Sequence, residues 1–438
     1  MAAIATFGVQ DRQLTDRERW LCFSVLFFFS FTAAFNLFKA SPAITYIGAD
    51  LGISDANIGY IMSFYSIAVL VFAYPGMLFM QRIGVKASVL ITSVLMLAGS
   101  TLGLVATTAG VFLASRAIEG CAYGMMCVVC PNIMPRLFPL NKQGLVMGIW
   151  SQCVPVGTII AFFAAPVVFN AVGWRPIWFI SIVMEFVAII GILALVKMPK
   201  IPENELIDSD PAKRKKPGRN YMFAAVLMAV VFSVWVYDYV VNVNTLYPTF
   251  LQQAKGLSIF ASSMLPNVTA FISIPLGIIA GVVTEKLNCR KTAVIAGYLL
   301  LAVIMFFCAY TPGDDMIGPW VFSILLGFCQ GCCVTCTRAG IPVLAPEPKK
   351  TDLALATMSF FTGVAMCLGG VASNSVAAIG WIANGRYILA PAALAAAVLV
   401  LVFVKSDRKV AAIRREEASQ GDSETRAAGT SQVSRAHV

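Results

Sequence analysis

The chain has 438 residues, of which 59% are hydrophobic and only 12% are charged, and its mean hydropathy is +0.81. A soluble protein carries about 25% charged residues, so this composition excludes an ordinary water-soluble domain and indicates a membrane protein. The formal net charge of +10 is no argument for a nucleic-acid partner, because the basic residues lie mostly between apolar segments, where they set membrane topology.

Twelve apolar segments of about 20 residues each are predicted as helices, since that length crosses about 30 Å of hydrocarbon. In chain order they are 20–43, 57–79, 87–107, 110–134, 144–169, 176–197, 221–247, 258–283, 292–311, 318–343, 353–379 and 387–405. Their apolar runs are continuous rather than alternating, which excludes a membrane β-barrel. Mostly polar residues precede the first segment and no small-residue cleavage site follows it, so it is predicted as a retained helix rather than a signal peptide.

The loops between these segments predict the orientation of the chain. Lys and Arg are concentrated in alternate loops, whereas the opposite set of loops contains only Arg175, Lys255 and Arg386. Because basic loops stay in the cytoplasm, both termini are predicted to be cytoplasmic. The predicted location is the plasma (inner) membrane, with multiple passes through it.

The polar segment 198–220 divides the apolar pattern into two halves. It carries four prolines and the run Lys213-Arg214-Lys215-Lys216, and it is predicted as a cytoplasmic linker between six-helix bundles at 1–197 and 221–405. Residues 406–438 are predicted as a polar cytoplasmic tail. Short matches recur in the same order in both halves, which indicates an internal repeat and a binding site where the halves meet. The matches are Gln81-Arg82 with Glu285-Lys286, Glu119-Gly120-Cys121 with Gln330-Gly331-Cys332, and Gly173-Trp174 with Gly380-Trp381.

With these features, residues 20–405 resemble the major facilitator superfamily. Segment 281–291 is similar to the cytoplasmic signature of that family, and Arg116-x-x-x-Gly120-x-x-x-Gly124 is similar to its Arg-Gly-Gly motif. The resemblance implies an all-α membrane fold of two pseudo-symmetric six-helix bundles that rock for alternating access. It also implies a gating or structural role at the cytoplasmic face for Gln81, Arg82 and Gly84 in the first half, where Gln81 replaces an acid, and for Glu285, Lys286 and Arg290 in the second.

Six ionisable residues lie inside apolar segments. A charge near the centre of a bilayer costs about 2.5–3.5 kcal/mol, so such a residue usually faces a polar cavity and has a function there. All but one fall on spans one, four, seven and ten, which the resemblance implies line the central cavity. At a rise of about 1.5 Å per residue, four of them are expected toward the outer side, where they could surround one site. These four are Lys39, Arg116, Glu119 and Asp238, while Arg338 is expected nearer the cytoplasm and Glu185 is the exception in span six.

Three of these residues are cations and are predicted to bind an anionic substrate. They are Lys39, Arg116 and Arg338, and a guanidinium group in particular forks onto carboxylate or phosphate oxygens. Tyr123 lies one turn beyond Glu119 and is predicted as the aromatic contact to the substrate. The alternatives are that Lys39 extends to the outer headgroups and that Arg116 forms a static pair with Glu119. Arg338 has two alternatives, a gate at the cytoplasmic end and a structural role at the inner surface.

Glu119 and Asp238 are predicted to couple transport to protons. A desolvated carboxyl group titrates when its cationic partner leaves, which is the behaviour that coupling needs. The alternatives are a static pair for Glu119 and local pairing or a gate contact for Asp238. Glu185 is expected to be structural.

The leading hypothesis is a secondary active transporter that moves a small organic anion by proton symport. The stretch Asn36-Leu37-Phe38-Lys39 loosely resembles the first-span motif of organic anion:cation symporters, with Phe38 in place of the acid. The alternative is proton-driven efflux of hydrophobic or cationic compounds, which a large aromatic cavity and a dominant Asp238 would favour.

Other classes of function fit the sequence less well. The chain has no nucleotide-binding loop, which argues against an ATP-driven pump. It is not predicted to be an enzyme, because no ligand set and no nucleophile with a base stands out. The protein is predicted to be a monomer whose partners are an anionic small molecule, protons and lipid. Neither a cofactor nor a metal is predicted. Cys329, Cys332, Cys333 and Cys336 are assigned to helix packing, with a soft-metal site as the alternative.

Overall fold

The structure is a computed structural model that describes residues 9–10, 12–53, 59–199, 219–313, 315–344 and 348–405. Most of the predicted linker, 200–218, and the whole predicted tail, 406–438, lie outside the described residues. Within the described part the secondary structure is almost entirely helical. Its strands are the two-residue parallel pair β1 (Val9–Gln10) and β2 (Met198–Pro199).

The helices follow the apolar segments of the sequence. In the first half they are α1 (Asp16–Phe38), α2 (Ile44–Asp50), α3 (Tyr60–Ile83), α4 (Val85–Leu104), α5 (Ala109–Leu137), α6 (Leu140–Trp150), α7 (Cys153–Val172) and α8 (Arg175–Leu195). In the second half they are α9 (Arg219–Trp235), α10 (Tyr247–Lys255), α11 (Ile259–Leu287), α12 (Arg290–Phe307), α13 (Ile317–Leu344), α14 (Pro348–Cys367), α15 (Gly369–Ile379), α16 (Trp381–Asn384) and α17 (Ala390–Phe403). Two π-helical segments, Val236–Leu246 and Gly385–Leu389, continue α9 and α16.

The boundaries of α1 have a clear local cause. Thr15 is the N-cap, and its hydroxyl accepts from the Glu18 amide while the Glu18 carboxylate accepts from the Thr15 amide, which completes a capping box. At the other end the helix stops at Phe38, five residues before the predicted end, and the 3₁₀ turn Ser41–Ala43 follows. Lys39 is therefore the C-cap residue rather than a mid-helix residue.

Eleven helical stretches in the described part are long and apolar enough to cross a membrane. They correspond to the predicted spans except for 353–379, which is divided at Leu368 between α14 and α15. The fifth span combines α6 with α7, and the seventh runs through α9, the π-helical segment and α10.

The two halves repeat the same packing. Helix α3 packs on α5 in the first half, and α11 packs on α13 in the second. Both contacts depend on small residues, since a Cβ at Gly120 would lie 2.2 Å from the Tyr65 carbonyl oxygen and one at Gly331 would lie 2.9 Å from the Leu276 Cβ. The repeat Gly120–Gly331 seen in the sequence therefore has a structural counterpart.

The interface between the halves is formed mainly by α3 against α14 and by α7 against α11. It too brings backbones close together, because a Cβ at Gly363 would lie 2.5 Å from the Leu70 Cα, and one at Gly281 would lie 2.6 Å from the Gly144 carbonyl oxygen. The fold is thus two helical bundles in close contact, with the central cavity between them.

Candidate functional site

A small cavity lies between the two halves at the centre of the molecule. The four helices predicted to line it each contribute a residue, namely Leu37 from α1, Tyr123 from α5, Phe232 from α9 and Arg338 from α13. Ser151, helix α7, the π-helical segment Val236–Leu246 and helix α14 complete the wall. This position is where alternating access between two bundles exposes a bound molecule to either side.

Arg338 is the charged residue of this wall. Its side chain is buried, with its Cζ 4.8 Å from the ring centroid of Trp150 and 5.2 Å from that of Phe232. Its Nε and Nη1 atoms have no hydrogen-bond partner in the described part of the chain, and no described carboxylate lies within 4.0 Å of it. A buried guanidinium group without an anion is costly, so this geometry suits an anionic ligand.

A second polar cluster lies in the first half, centred on Glu119. The Lys39 ammonium donates to Glu119 Oε1 at 2.7 Å and to Ser181 Oγ at 3.0 Å, and Arg116 donates to Glu119 Oε2. All three charged side chains are fully buried. Lys39 therefore does not extend to the headgroups. Arg116 and Glu119 form an ion pair in this structure, as one of the alternatives predicted.

The end of α1 helps to hold these cations. Arg116 also donates to the main-chain carbonyl oxygens of Asn36 at 3.0 Å and Leu37 at 3.3 Å. These carbonyls lie in the last turn of the helix, where they have no partner within the helix and where the helix dipole favours positive charge. The early end of α1 at Phe38 thus creates part of the site for Arg116.

Glu185 belongs to the same cluster, although its position in span six did not predict this. Its Oε1 accepts from the side-chain amide nitrogen of Asn36 at 3.3 Å, and its Oε2 accepts from the Ser93 hydroxyl at 3.3 Å. The side-chain amide oxygen of Asn36, Oδ1, in turn accepts from the Lys39 ammonium. Two cations and two carboxyl groups therefore form one connected buried network.

This network lies directly behind the wall of the cavity. The Arg116 guanidinium is 4.4 Å from the Tyr65 ring centroid, and that ring is 5.8 Å from the ring of Tyr123, which lines the cavity. Leu37 is also shared, since its carbonyl accepts from Arg116 and the residue borders the cavity. Of the predicted substrate ligands, Tyr123 and Arg338 border the cavity, whereas Lys39 and Arg116 lie one layer behind it.

Asp238 lies apart from the other predicted site residues. It is fully buried in the π-helical segment, and neither carboxyl oxygen has a hydrogen-bond partner among the described residues. It forms no ion pair with Lys39 or Arg116, which both contact Glu119, and it is not among the described residues that border the cavity. Its segment is a π-helix, and π-helical turns often occur at functional sites. The side chains of Asn242 and Thr245 also donate to main-chain carbonyls five residues earlier.

The predicted gating residues of the first half lie at the end of α3, next to the start of α14 in the second half. Gln81 Nε2 donates to Asp352 Oδ2 at 3.3 Å, which joins the two halves, and Arg136 lies 3.7 Å from the same oxygen. Asp352 was not predicted from the sequence, but it supplies the carboxylate that Gln81 lacks. Arg82 is exposed, and Gly84 ends α3 with a φ of 85°, a conformation that favours glycine.

Glu285, the predicted gating acid of the second half, also contacts the first half. Glu285 lies 3.7 Å from Arg290 and packs against Gly144 of α6, where an added Cβ would be 2.0 Å from Glu285 Oε2. Lys286 is exposed. Two carboxylates of the second half thus contact the first half, Asp352 at Gln81 and Glu285 at Gly144.

Comparisons with known proteins agree with this architecture. The family model described as Major Facilitator Superfamily matches residues 26–350. The solved structure of the human organic anion transporter MFSD10 (TETRAN) is similar with a TM-score of 0.67 at 12% identity, covering 87% of this chain and 99% of that one. The proton:xylose symporter XylE, bound to 6-bromo-6-deoxy-D-glucose, is similar with a TM-score of 0.73 at 14% identity, covering 91% and 100%.

At these identities the two structures show a shared fold and carry no information on substrate. The family match covers most of the chain, and the described part contains eleven helices that are long and apolar enough to cross a membrane. The chain therefore belongs to the Major Facilitator Superfamily and is a multi-pass membrane transporter.

Proposed function

We propose that this protein is a secondary active transporter that moves a small organic anion by proton-coupled symport. The observation that carries the proposal is Arg338, a buried cation beside the central cavity with no carboxylate partner among the described residues. An anion bound there would supply the missing charge. A guanidinium group can also hold a carboxylate through two parallel hydrogen bonds, which gives orientation as well as affinity.

Asp238 is the better proton carrier of the two predicted acids. As a carboxylate it would be a buried charge without a partner in the described part of the chain, which costs several kcal/mol, and carrying a proton removes that cost. Exposure to water in another conformation would stabilise the ionised form. Its protonation is therefore sensitive to conformation, as coupling requires.

Glu119 has a different environment, because two cations and the Ser100 hydroxyl hold it. Protonation of Glu119 would leave Lys39 and Arg116 as buried cations without a carboxylate contact, so it requires another anion to approach them. Glu119 thus acts as their counter-ion in this conformation. It carries a proton only if the substrate moves from the cavity toward Arg116 through the layer of Tyr65.

The contacts between the halves support alternating access. Asp352 and Glu285 hold the predicted cytoplasmic ends together in this conformation. We place the protein in the plasma (inner) membrane as a monomer with cytoplasmic termini and a linker at 198–220, and we propose no cofactor and no enzymatic activity.

Proton-driven efflux of cationic or hydrophobic compounds is the second candidate, and the aromatic wall of the cavity favours it. The charge of the cavity opposes it for cations, since Arg338 and not Asp238 borders the space. An organic cation would have to bind beside an unpaired guanidinium group.

A thermal-shift screen followed by transport tests these two candidates. Purified protein is heated with small carboxylates, inorganic anions and organic cations, since a ligand that binds the folded state raises its apparent stability. The stabilising compound is then tested for uptake into proteoliposomes with and without an inward proton gradient. We expect an anion to stabilise the protein, and we expect the gradient to accelerate its uptake.

Three variants assign the roles. Arg338→Gln should abolish the anion shift, while Arg386→Gln, an exposed arginine on the predicted outer side, should retain it. Asp238→Asn should bind the anion but lose the response to the proton gradient. Stabilisation by organic cations alone, dependent on Asp238 and not on Arg338, would reverse the assignment in favour of efflux.

A further inference from the structure

The chemistry of the cavity wall restricts which anions fit, and the cavity offers few donors. Among the described lining residues Arg338 alone carries a formal charge. Three hydroxyl groups of the wall already donate to main-chain carbonyls and have no free proton for a ligand. They are Ser151 at 2.7 Å, Ser359 at 3.2 Å and Thr362 at 2.8 Å.

The rest of the wall is apolar and rich in aromatic rings. Trp150 and Phe232 lie beside the guanidinium group, and Trp235 stacks on Tyr239 with centroids 5.2 Å apart and an interplanar angle of 19°. Valine and methionine side chains supply much of the remaining surface. Such a wall gains free energy from an apolar body and gives none to a strongly hydrated one.

The charge count sets the valence of the ligand. One unpaired cation balances one negative charge, and a second charge on the ligand would be buried without a partner. The nearest other cations, Lys39 and Arg116, are already engaged by Glu119. A dicarboxylate or a phosphate dianion is therefore disfavoured.

Two neutral polar atoms remain without partners in the described part of the wall, the Gln330 amide oxygen and the Tyr239 hydroxyl. They come from α13 and from the π-helical segment, as Arg338 and Asp238 do. They fit one uncharged hydrogen-bonding group on the ligand, such as a hydroxyl.

We infer that the substrate is a monocarboxylate with an apolar, preferably aromatic, body, held by Arg338 at its carboxylate and by the ring of Phe232 along its body. The inference rests on the proposed function and narrows its substrate class. The proposed function, transport of a small organic anion, would allow a dicarboxylate as well as a monocarboxylate. It also names Phe232 as a residue that determines specificity.

The test compares five probes in thermal-shift titrations of the purified full chain, followed by uptake into proteoliposomes. The probes are benzoate, cyclohexanecarboxylate, succinate, phosphate and the uncharged benzamide. We expect benzoate to stabilise the protein with an affinity at least about tenfold higher than those of succinate, phosphate and benzamide, since one lost charged hydrogen bond has about that effect. Cyclohexanecarboxylate should bind more weakly than benzoate.

Two pairs of variants give the site-specific readout. Arg338→Gln should remove the preference of benzoate over benzamide, whereas Arg386→Gln should keep it. Phe232→Leu should reduce the preference for benzoate over cyclohexanecarboxylate by about two- to tenfold. Phe223→Leu, an exposed phenylalanine on the same helix, should leave that preference unchanged.

The outcomes separate this inference from the proposed function. Tighter, Arg338-dependent binding of succinate or phosphate would overturn the monocarboxylate inference and leave anion transport standing. Shifts with organic cations alone would overturn both. The absence of any shift with both monocarboxylates at millimolar concentration would also overturn the inference.

Discussion

Replacement of Glu119 by Gln is the sharpest structural test of the buried network. Glu119 is the carboxylate that both Lys39 and Arg116 contact, and all three side chains are fully buried. Breaking a buried pair from one side costs about 3–5 kcal/mol, because the remaining charge is uncompensated, and here two cations remain. For a unit of 150–250 residues, the size of one bundle, this corresponds to a fall in melting temperature of about 6 °C or more.

The comparison with Lys39→Met makes the test specific. That variant leaves the Arg116–Glu119 pair intact, so we expect a smaller loss, about 1–3 kcal/mol for the acceptors left without a donor. The measurement is thermal unfolding in detergent by tryptophan fluorescence, for which Trp178 is well placed because the Lys39 ammonium lies 4.6 Å from its ring centroid.

An exposed pair provides the control. Asp16→Asn removes the partner of Lys142 at the surface, where an ion pair contributes about 0–1 kcal/mol, and should leave the melting temperature nearly unchanged. If Glu119→Gln melts within about 2 °C of the wild type, or if Lys39→Met is the more damaging change, then Glu119 is not the counter-ion of both cations.

Two glycine substitutions test the close contacts between helices. Gly144→Ala places a methyl group against the Glu285 carboxylate and should separate the predicted cytoplasmic ends, seen as faster labelling of introduced inner-face cysteines without a large loss of stability. Labelling at the wild-type rate would remove Glu285 from the gate. Gly120→Ala forces α5 away from the Tyr65 carbonyl and should cost about 1–3 kcal/mol of stability, measured by thermal unfolding. Gly110→Ala, which has open space around it, is the matched control for both, and equal melting temperatures for Gly120→Ala and Gly110→Ala would contradict the packing argument.

The sequence predicted the fold because lipid imposes strong rules on a chain. Apolar length, the repeat between Glu119-Gly120 and Gln330-Gly331, and the resemblance of segment 281–291 were enough for the major facilitator fold, which the family match confirms. Gln330, which the repeat matches with Glu119, borders the cavity, although the sequence analysis did not predict it as a site residue. The predicted spans failed locally where an irregular backbone interrupts a helix, as at Leu368.

The sequence also identified the buried charges, since ionisable residues are rare in apolar segments and each one is conspicuous. It could not assign their partners. Whether Lys39 extends to water or turns inward depends on the residues that surround it. Three of those are ordinary polar residues, namely Asn36 one turn earlier in α1 and the serines Ser100 and Ser181 on other helices. Such residues give no signal in a single sequence, because they are common in membrane helices.

By itself, the sequence determined that this protein is a two-bundle membrane transporter with charges on the helices that line its centre, because hydrophobic length and the cost of burying charge act along the chain. Only the tertiary structure decided how the charges are divided. It joined Lys39, Arg116, Glu119 and Glu185 into one hydrogen-bonded network. Among the described residues it left Arg338 at the cavity without a carboxylate partner and Asp238 in its π-helical segment without a hydrogen-bond partner. Pairing of buried charges depends on distances of a few ångströms between different helices, and those distances are set by packing in three dimensions.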